Sequence, residues 1–194
     1  MTKTVTVNDI VLLLQEIAPP QLAEEWDNVG LMLGRGNKPV HKILLALDMT
    51  AETVAQAIDC KADLLVTHHP AIFKRLPSLT DGSWQQELLL QLAEHGIAVY
   101  SAHTNLDAVA GGAGSDFIDA ALANNVDTFV TGDVKYHEAQ RAVFSGMNLL
   151  DAGHQCTEWP VLDDLADRLS LRFTDKNWNI ILKVAKETLL LKHL

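Results

Sequence analysis

Two adjacent imidazoles, His68 and His69, close the short apolar run Leu64-Leu65-Val66-Thr67 and are followed at once by Pro70. The run has the composition of a fully buried strand, and the proline stops its pairing. Consecutive residues leaving a strand point to opposite sides, so His68 and His69 can address two points in space, which suits two metal ions better than one. Two later stretches carry matching groups: Ala102-His103-Thr104-Asn105-Leu106-Asp107, and Gly153-His154-Gln155-Cys156-Thr157-Glu158. A histidine and a glutamate at i and i+4 on a first helical turn share a face and can reach one site. An isolated histidine pair is more often an ordinary loop feature, and His-x-x-x-Glu alone is more often a surface pair; the combination is specific. His68, His69, Asp107, His154 and Glu158 form a candidate ligand set of three imidazoles and two carboxylates. Such a set suits two divalent ions (Zn, Fe, Mn, Co or Ni) about 3.5–4 Å apart that share a carboxylate and a water. The chemistry would be hydrolysis by the acidified water, with Asp107 and Glu158 as catalytic carboxylates that move protons.

Further residues are weaker candidates. Thr131-Gly132-Asp133-Val134-Lys135-Tyr136-His137 brings His137 close to a strand end as a possible acid, base or substrate contact. Lys74 and Arg75 can hold an anionic substrate or do nothing specific. Cys156 is read as packing rather than a thiolate ligand, and Asp27 as a capping carboxylate rather than a site residue.

The elements that must position these groups alternate regularly. Ile43 to Leu47 is an apolar strand ending at Asp48, Thr50 caps a helix to about Cys60, and the Leu64 strand follows. A helix over about Trp84 to His95 leads to the strand Ile97–Tyr100. Strand and helix in alternation imply a parallel sheet, and ligands of such sheets sit beyond the carboxyl ends of the strands. Four of the eight histidines, His68, His69, His103 and His154, fall just after predicted strands. Asn8 or Asp9 is the expected cap of a first helix that Pro19-Pro20 ends. After Gly111-Gly112-Ala113-Gly114 the rhythm restarts: a helix from Ser115, strands at Thr128–Thr131 and Asn148–Leu150, a helix from Tyr136 to about Phe144, and one helix from His154 to about Leu169. The expected organisation is an α/β fold of two lobes with mainly parallel sheets, residues 1–110 and 111–194. The run Ile180 to Leu191 can form a helix with one apolar face.

The bulk properties narrow the function. A net charge of −10 and no Lys/Arg cluster oppose nucleic acid or an anionic membrane as partner. No stretch approaches a membrane span and no apolar run follows Met1-Thr2-Lys3, so a cytoplasmic location is expected, and two distant cysteines agree with it. There is no His-Glu-x-x-His and no Gly-x-Ser-x-Gly, so neither a zincin protease nor the usual α/β-hydrolase is supported. The second class of reading is a non-catalytic metal-binding or regulatory protein whose oligomer presents a surface to a protein partner.

Glu25-Trp26-Asp27-Asn28-Val29-Gly30-Leu31, Val66-Thr67-His68-His69-Pro70, Ala102 to Asp107, Val130-Thr131-Gly132-Asp133 and Asp151-Ala152-Gly153-His154 with Glu158 occur in this order between about Val7 and Leu169. Together they closely resemble the dinuclear-metal-centre proteins related to NGG-interacting factor three, whose bacterial members carry the label GTP cyclohydrolase I type 2 homologue. The resemblance implies two α/β lobes, a two-metal site in the cleft between them, and a ring-shaped homohexamer. It maps the family's ligands onto His68, His69, Asp107, His154 and Glu158, and implies action on a small nucleotide-like or phosphorylated, anionic substrate. The chain departs from the pattern where Gly112 runs almost directly into Gly114-Ser115 in place of a long middle segment, and in the stretch after Arg172.

Overall fold

A computed structural model of the chain describes residues 4–110, 114 and 117–189. These residues divide into two compact units, one drawn from Met1–Ala110 and Leu162–Thr188, the other from Gly111–Val161 and Leu189–Leu194.

The first unit is built on helix α1 (Val7–Ile17), strands β1 (Gly30–Leu33) and β2 (Lys42–Ala46), helix α2 (Ala51–Asp59), strand β3 (Leu64–Thr67), helix α3 (Trp84–Glu94), strand β4 (Ala98–Ser101) and helix α4 (Thr104–Ala110). The cap of α1 is Thr6, two or three residues before the expected Asn8 or Asp9. Its hydroxyl accepts from the Asp9 amide while the Asp9 carboxylate accepts from the Thr6 amide, so Asp9 is the reciprocal member of a capping box. Thr50 caps α2 as expected.

With β7 at Ile181–Val184, the sheet runs in the order β1-β4-β3-β2-β7. β2, β3, β4 and β7 are parallel, and β1 adds antiparallel to β4 at the edge. β3 and β4 are buried along their whole length, which explains their unbroken apolar sequences. Leu44, Leu65 and Val99 meet Val54 and Ala57 of α2 and Leu88, Leu89 and Leu92 of α3 in one core. Asp48, His68-His69 and His103 therefore all emerge at the carboxyl end of this sheet.

The C-terminal stretch corrects the expected apolar helix. Ile181–Val184 pairs in parallel with β2, from Lys42↔Ile181 to Leu45↔Val184, and residues 162–188 belong to the first unit rather than to a C-terminal lobe. A short apolar run suits a strand or a helix equally by periodicity, and an open sheet edge decides it here. The helix expected from His154 to about Leu169 is two helices, α7 (His154–Glu158) and α8 (Pro160–Asp175), with Pro160 at the first position of the second, where its missing N–H costs nothing.

In the second unit, α5 (Ile118–Ala123), β5 (Thr128–Thr131), α6 (Tyr136–Phe144) and β6 (Asn148–Asp151) surround a small core of Ile118, Ala121, Ala142 and Met147 with Leu122, Phe129 and Leu149. The expected helix start at Ser115 and the joint Gly111–Ala113 lie outside the described residues. β5 and β6 form a two-stranded parallel sheet, on which Val130 and Leu150 are each 54% exposed. Parallel sheets are normally covered on both faces, and a two-stranded sheet is marginal alone. Native-state hydrogen exchange should therefore find β5 and β6 amides opening at clearly lower free energy than those of β3, with equal protection contradicting this ordering.

Candidate metal centre

The loop after β3 is held from its neighbours. The amides of His68 and His69 donate to the carbonyls of Ala46 (3.0 Å) and Leu47 (2.9 Å), extending the β2–β3 ladder past the end of the strands. The Thr67 and Ser101 hydroxyls share a hydrogen bond of 2.8 Å, and Ser101 Oγ accepts from the Ala71 amide at 3.1 Å. Beside them the amide of Ala102 donates to Thr67 at 3.0 Å, which sets His103 next to the histidine pair. The ring centroids of His68, His69 and His103 lie 5.0, 5.2 and 5.5 Å apart, and one ligand atom from each falls within 4.8 Å of the others.

All three rings are oriented by the same device. Nδ1 of His68 donates to the Ala102 carbonyl (3.0 Å), Nδ1 of His69 to Asp48 (2.9 Å), and Nδ1 of His103 to Asp27 (2.9 Å). Each acceptor fixes the proton on Nδ1, which makes Nε2 the nitrogen of each ring that could bind a metal ion. Asp107 Oδ1 stands 3.4 Å from His68 Nε2, so a carboxylate faces the cluster beside a ring that is itself fully buried. An inward set of imidazole nitrogens with an adjoining carboxylate fits a divalent transition metal.

Asp27 does more than the capping role expected of it. Its carboxylate accepts from the Asn28 amide, from the amide and hydroxyl of Thr104 at the start of α4, and from His103 Nδ1. Burial pushes its pKa up, but the hydrogen bonds from Thr104 and His103 outweigh that and hold Asp27 below the usual carboxylate range. It caps one helix and orients one ring at once.

The second unit carries its own set. His154 Nδ1 lies 2.7 Å from Asp133 and Nε2 lies 3.0 Å from Glu158, one helical turn away and 4% exposed. The Glu158 hydrogen bond, with smaller help from Asp133 and against the effect of burial, pushes the His154 pKa up to about 9. Two tight backbone features place this histidine. A Cβ at Gly132 would meet the His154 backbone at 2.8 Å, so only glycine lets β5's end approach α7, and Gly153 turns into α7 at φ 79°. Asp133 itself sits in the left-handed region at φ 59°.

Thus His68, His69 and Asp107 come together in one unit and His154 and Glu158 in the other. His103 joins the first group although it was left out of the expected ligand set; the signal was its place after a strand, four residues before Asp107. His137 is exposed on α6 with its ring against Tyr136, and no metal-suited group among the described residues includes it. Cys156, expected to pack, is exposed, because α7 turns its His154–Glu158 face inward. Lys74 and Arg75 are exposed.

The sequence model of the Duf34/NIF3 (NGG1p interacting factor 3) family matches residues 5–113 and 108–188. The chain belongs to the DUF34/NIF3 family. The match reaches past Arg172 to residue 188, so the C-terminal stretch that departs from the pattern by eye belongs to the family region, with β7 as its strand. A relative from Clostridium perfringens, "GTP cyclohydrolase 1 type 2 homolog", is 28% identical over 255 residues, covering 93% of this chain and 97% of the relative. One of the same name from Lactococcus lactis is 42% identical over 106 residues, 55% of this chain and 41% of the relative. Since the chain has 194 residues, the longer alignment runs through positions this NIF3 protein lacks. The crystal structure of Staphylococcus aureus hypothetical protein SA1388 superposes with a TM-score of 0.89 at 22% identity, over 99% of this chain and 100% of that one. A Bacillus cereus protein related to NIF3 gives 0.86 at 17%, over 96% and 98%. At these identities the structures establish the shared α/β fold. No helix among the described residues is long and apolar enough to cross a membrane.

Two measurements check the electrostatics. An NMR titration of chelator-treated protein should place His154 near 9, and Glu158→Gln should return it toward 6.5. Because the folded pKa is the higher one, the ion pair's contribution to folding is complete below about 6.5 and lost as pH rises through about 9. Asp27→Ala should cost about 1–3 kcal/mol in urea unfolding near neutral pH, as Thr104 and His103 lose a buried acceptor. Asp27 is depressed, so the parent keeps this contribution above 3.8 and loses it only as pH falls below that value.

Proposed function

We propose that this NIF3-family chain holds two divalent metal ions through His68, His69, Asp107, His154 and Glu158, with His103 as an added ligand, and hydrolyses a small nucleotide-like or phosphorylated substrate. The observation that carries the reading is the clustering of His68, His69 and His103, each ring held through Nδ1 by an acceptor, with one ligand atom from each within 4.8 Å of the others. The Asp133–His154–Glu158 chain offers the same kind of supported imidazole with a buried carboxylate. A metal pair supplies Lewis acidity and makes a water molecule acidic enough to act at neutral pH.

The chain's own residues then have separable duties. Asp48, Asp27 and the Ala102 carbonyl hold His69, His103 and His68 in one tautomer, and Asp133 orients His154. Asp107 and Glu158 hold charge and pass protons, and the His154 Nε2–Glu158 pair retains a proton at neutral pH that an incoming cation must displace. Exposed Lys74 and Arg75 offer charge for an anionic substrate, and His137 is a weaker acid/base candidate. The relatives' name points to GTP as the first compound to try. We further propose a cytoplasmic homohexamer.

The interruption near Gly111–Gly114 favours a second reading, in which the chain binds metal without turnover and serves as an oligomeric scaffold for a protein partner. Elemental mass spectrometry of the parent, Asp107→Ala and His154→Ala decides the first step: about two ions per chain in the parent and clearly fewer in each variant are expected. Turnover of GTP or a phosphoester that is lost in Asp107→Ala supports the hydrolase. Full metal content with no turnover across nucleotides and phosphoesters supports the scaffold, and a parent that takes up no Zn, Mn, Fe, Co or Ni sinks both.

A further inference from the structure

Glu187 is a buried carboxylate, 9% exposed, on the segment that follows β7. Its two oxygens accept from two consecutive backbone amides, Leu47 at 2.6 Å and Asp48 at 3.1 Å. These are the residues that hold His69: the Leu47 carbonyl accepts the His69 amide at 2.9 Å, and the Asp48 carboxylate accepts His69 Nδ1 at 2.9 Å. The peptide after β2 is thus clamped between Glu187 on one side and two polar attachments of His69 on the other. A carboxylate held out of water needs a compensating role, and these two amides, 140 and 139 positions away in sequence, supply its hydrogen bonds.

We propose that Glu187 is a positioning residue for the His69 metal ligand, acting through Asp48: it fixes the Leu47–Asp48 turn so that Asp48 can hold the ring with Nε2 inward. The inference rests on the metal reading above and assigns that site a support from the C-terminal strand. Neighbouring bonds serve as a control. Gln56 binds Lys186 twice, at 2.6 and 2.9 Å, anchoring the same segment without touching Asp48.

The test is Co(II) titration of chelator-treated protein, read by competition affinity and by the visible absorption of bound Co(II), with unfolding curves for each variant. Glu187→Gln is expected to weaken Co(II) binding about tenfold and to shift the absorption band, and Asp48→Asn to do so by about 10–100-fold. The double variant should be no weaker than Asp48→Asn alone, because both changes break one relay. Gln56→Ala should keep the parent's affinity and spectrum. Glu187→Gln with parent affinity and spectrum overturns the proposal, as do additive losses in the double variant or a Gln56→Ala that reproduces the Glu187→Gln spectrum. Failure of the metal reading is separately visible, since the parent itself would then bind no Co(II), and the proposal would fall with it.

Discussion

An imidazole offers a cation only the nitrogen that its other nitrogen's partner leaves over. Along the carboxyl end of the first sheet this requirement is met three times, with a carbonyl behind His68 and a carboxylate behind each of His69 and His103. The requirement reaches back into the scaffold. Asp48 lies just past β2, so that strand must be in register with β3. Asp27 precedes β1 and bridges to the start of α4. The fold around the site is therefore largely an arrangement for turning three rings the same way.

Such a shell cannot be left half made. A buried polar group that loses its partner costs about 1–3 kcal/mol, and charged groups cost more. Asp27 answers this by accepting from four donors, and Glu187 by taking two adjacent amides. Adding β7 to the sheet also turns β2 from an edge into an interior strand. The segment that follows β7 carries the carboxylate that binds the two amides just past β2.

What the sequence revealed follows the range of the interactions. β2, β3 and β4 are legible because continuous burial leaves continuous apolar runs, and the candidate ligands after them are legible by position. His154 and Glu158 are legible because one helical turn joins them. Asp27 looks like a turn residue because its partner His103 is 76 positions away, and Glu187 carries no signal because its partners are more distant still. β7 was ambiguous for another reason: Ile181–Val184 has no period of its own that separates strand from helix, and the vacancy beside β2 supplies the answer.

The two units differ in how their candidate ligand groups are assembled. In the first, every ring depends on a residue from another strand or loop, so an insertion or deletion between them would disturb the site. In the second, Asp133 and His154 follow the ends of paired strands, Thr131↔Asp151 in register, and Glu158 follows on the same short helix. The close approach at Gly132 and the contacts of His154 with Asp133 and Glu158 all lie between residues 131 and 158. An interruption near Gly111–Gly114 falls outside that interval. Val130 and Leu150 are exposed on the sheet itself, whereas Asp133 and His154 follow its strand ends and Glu158 sits on the short helix beyond.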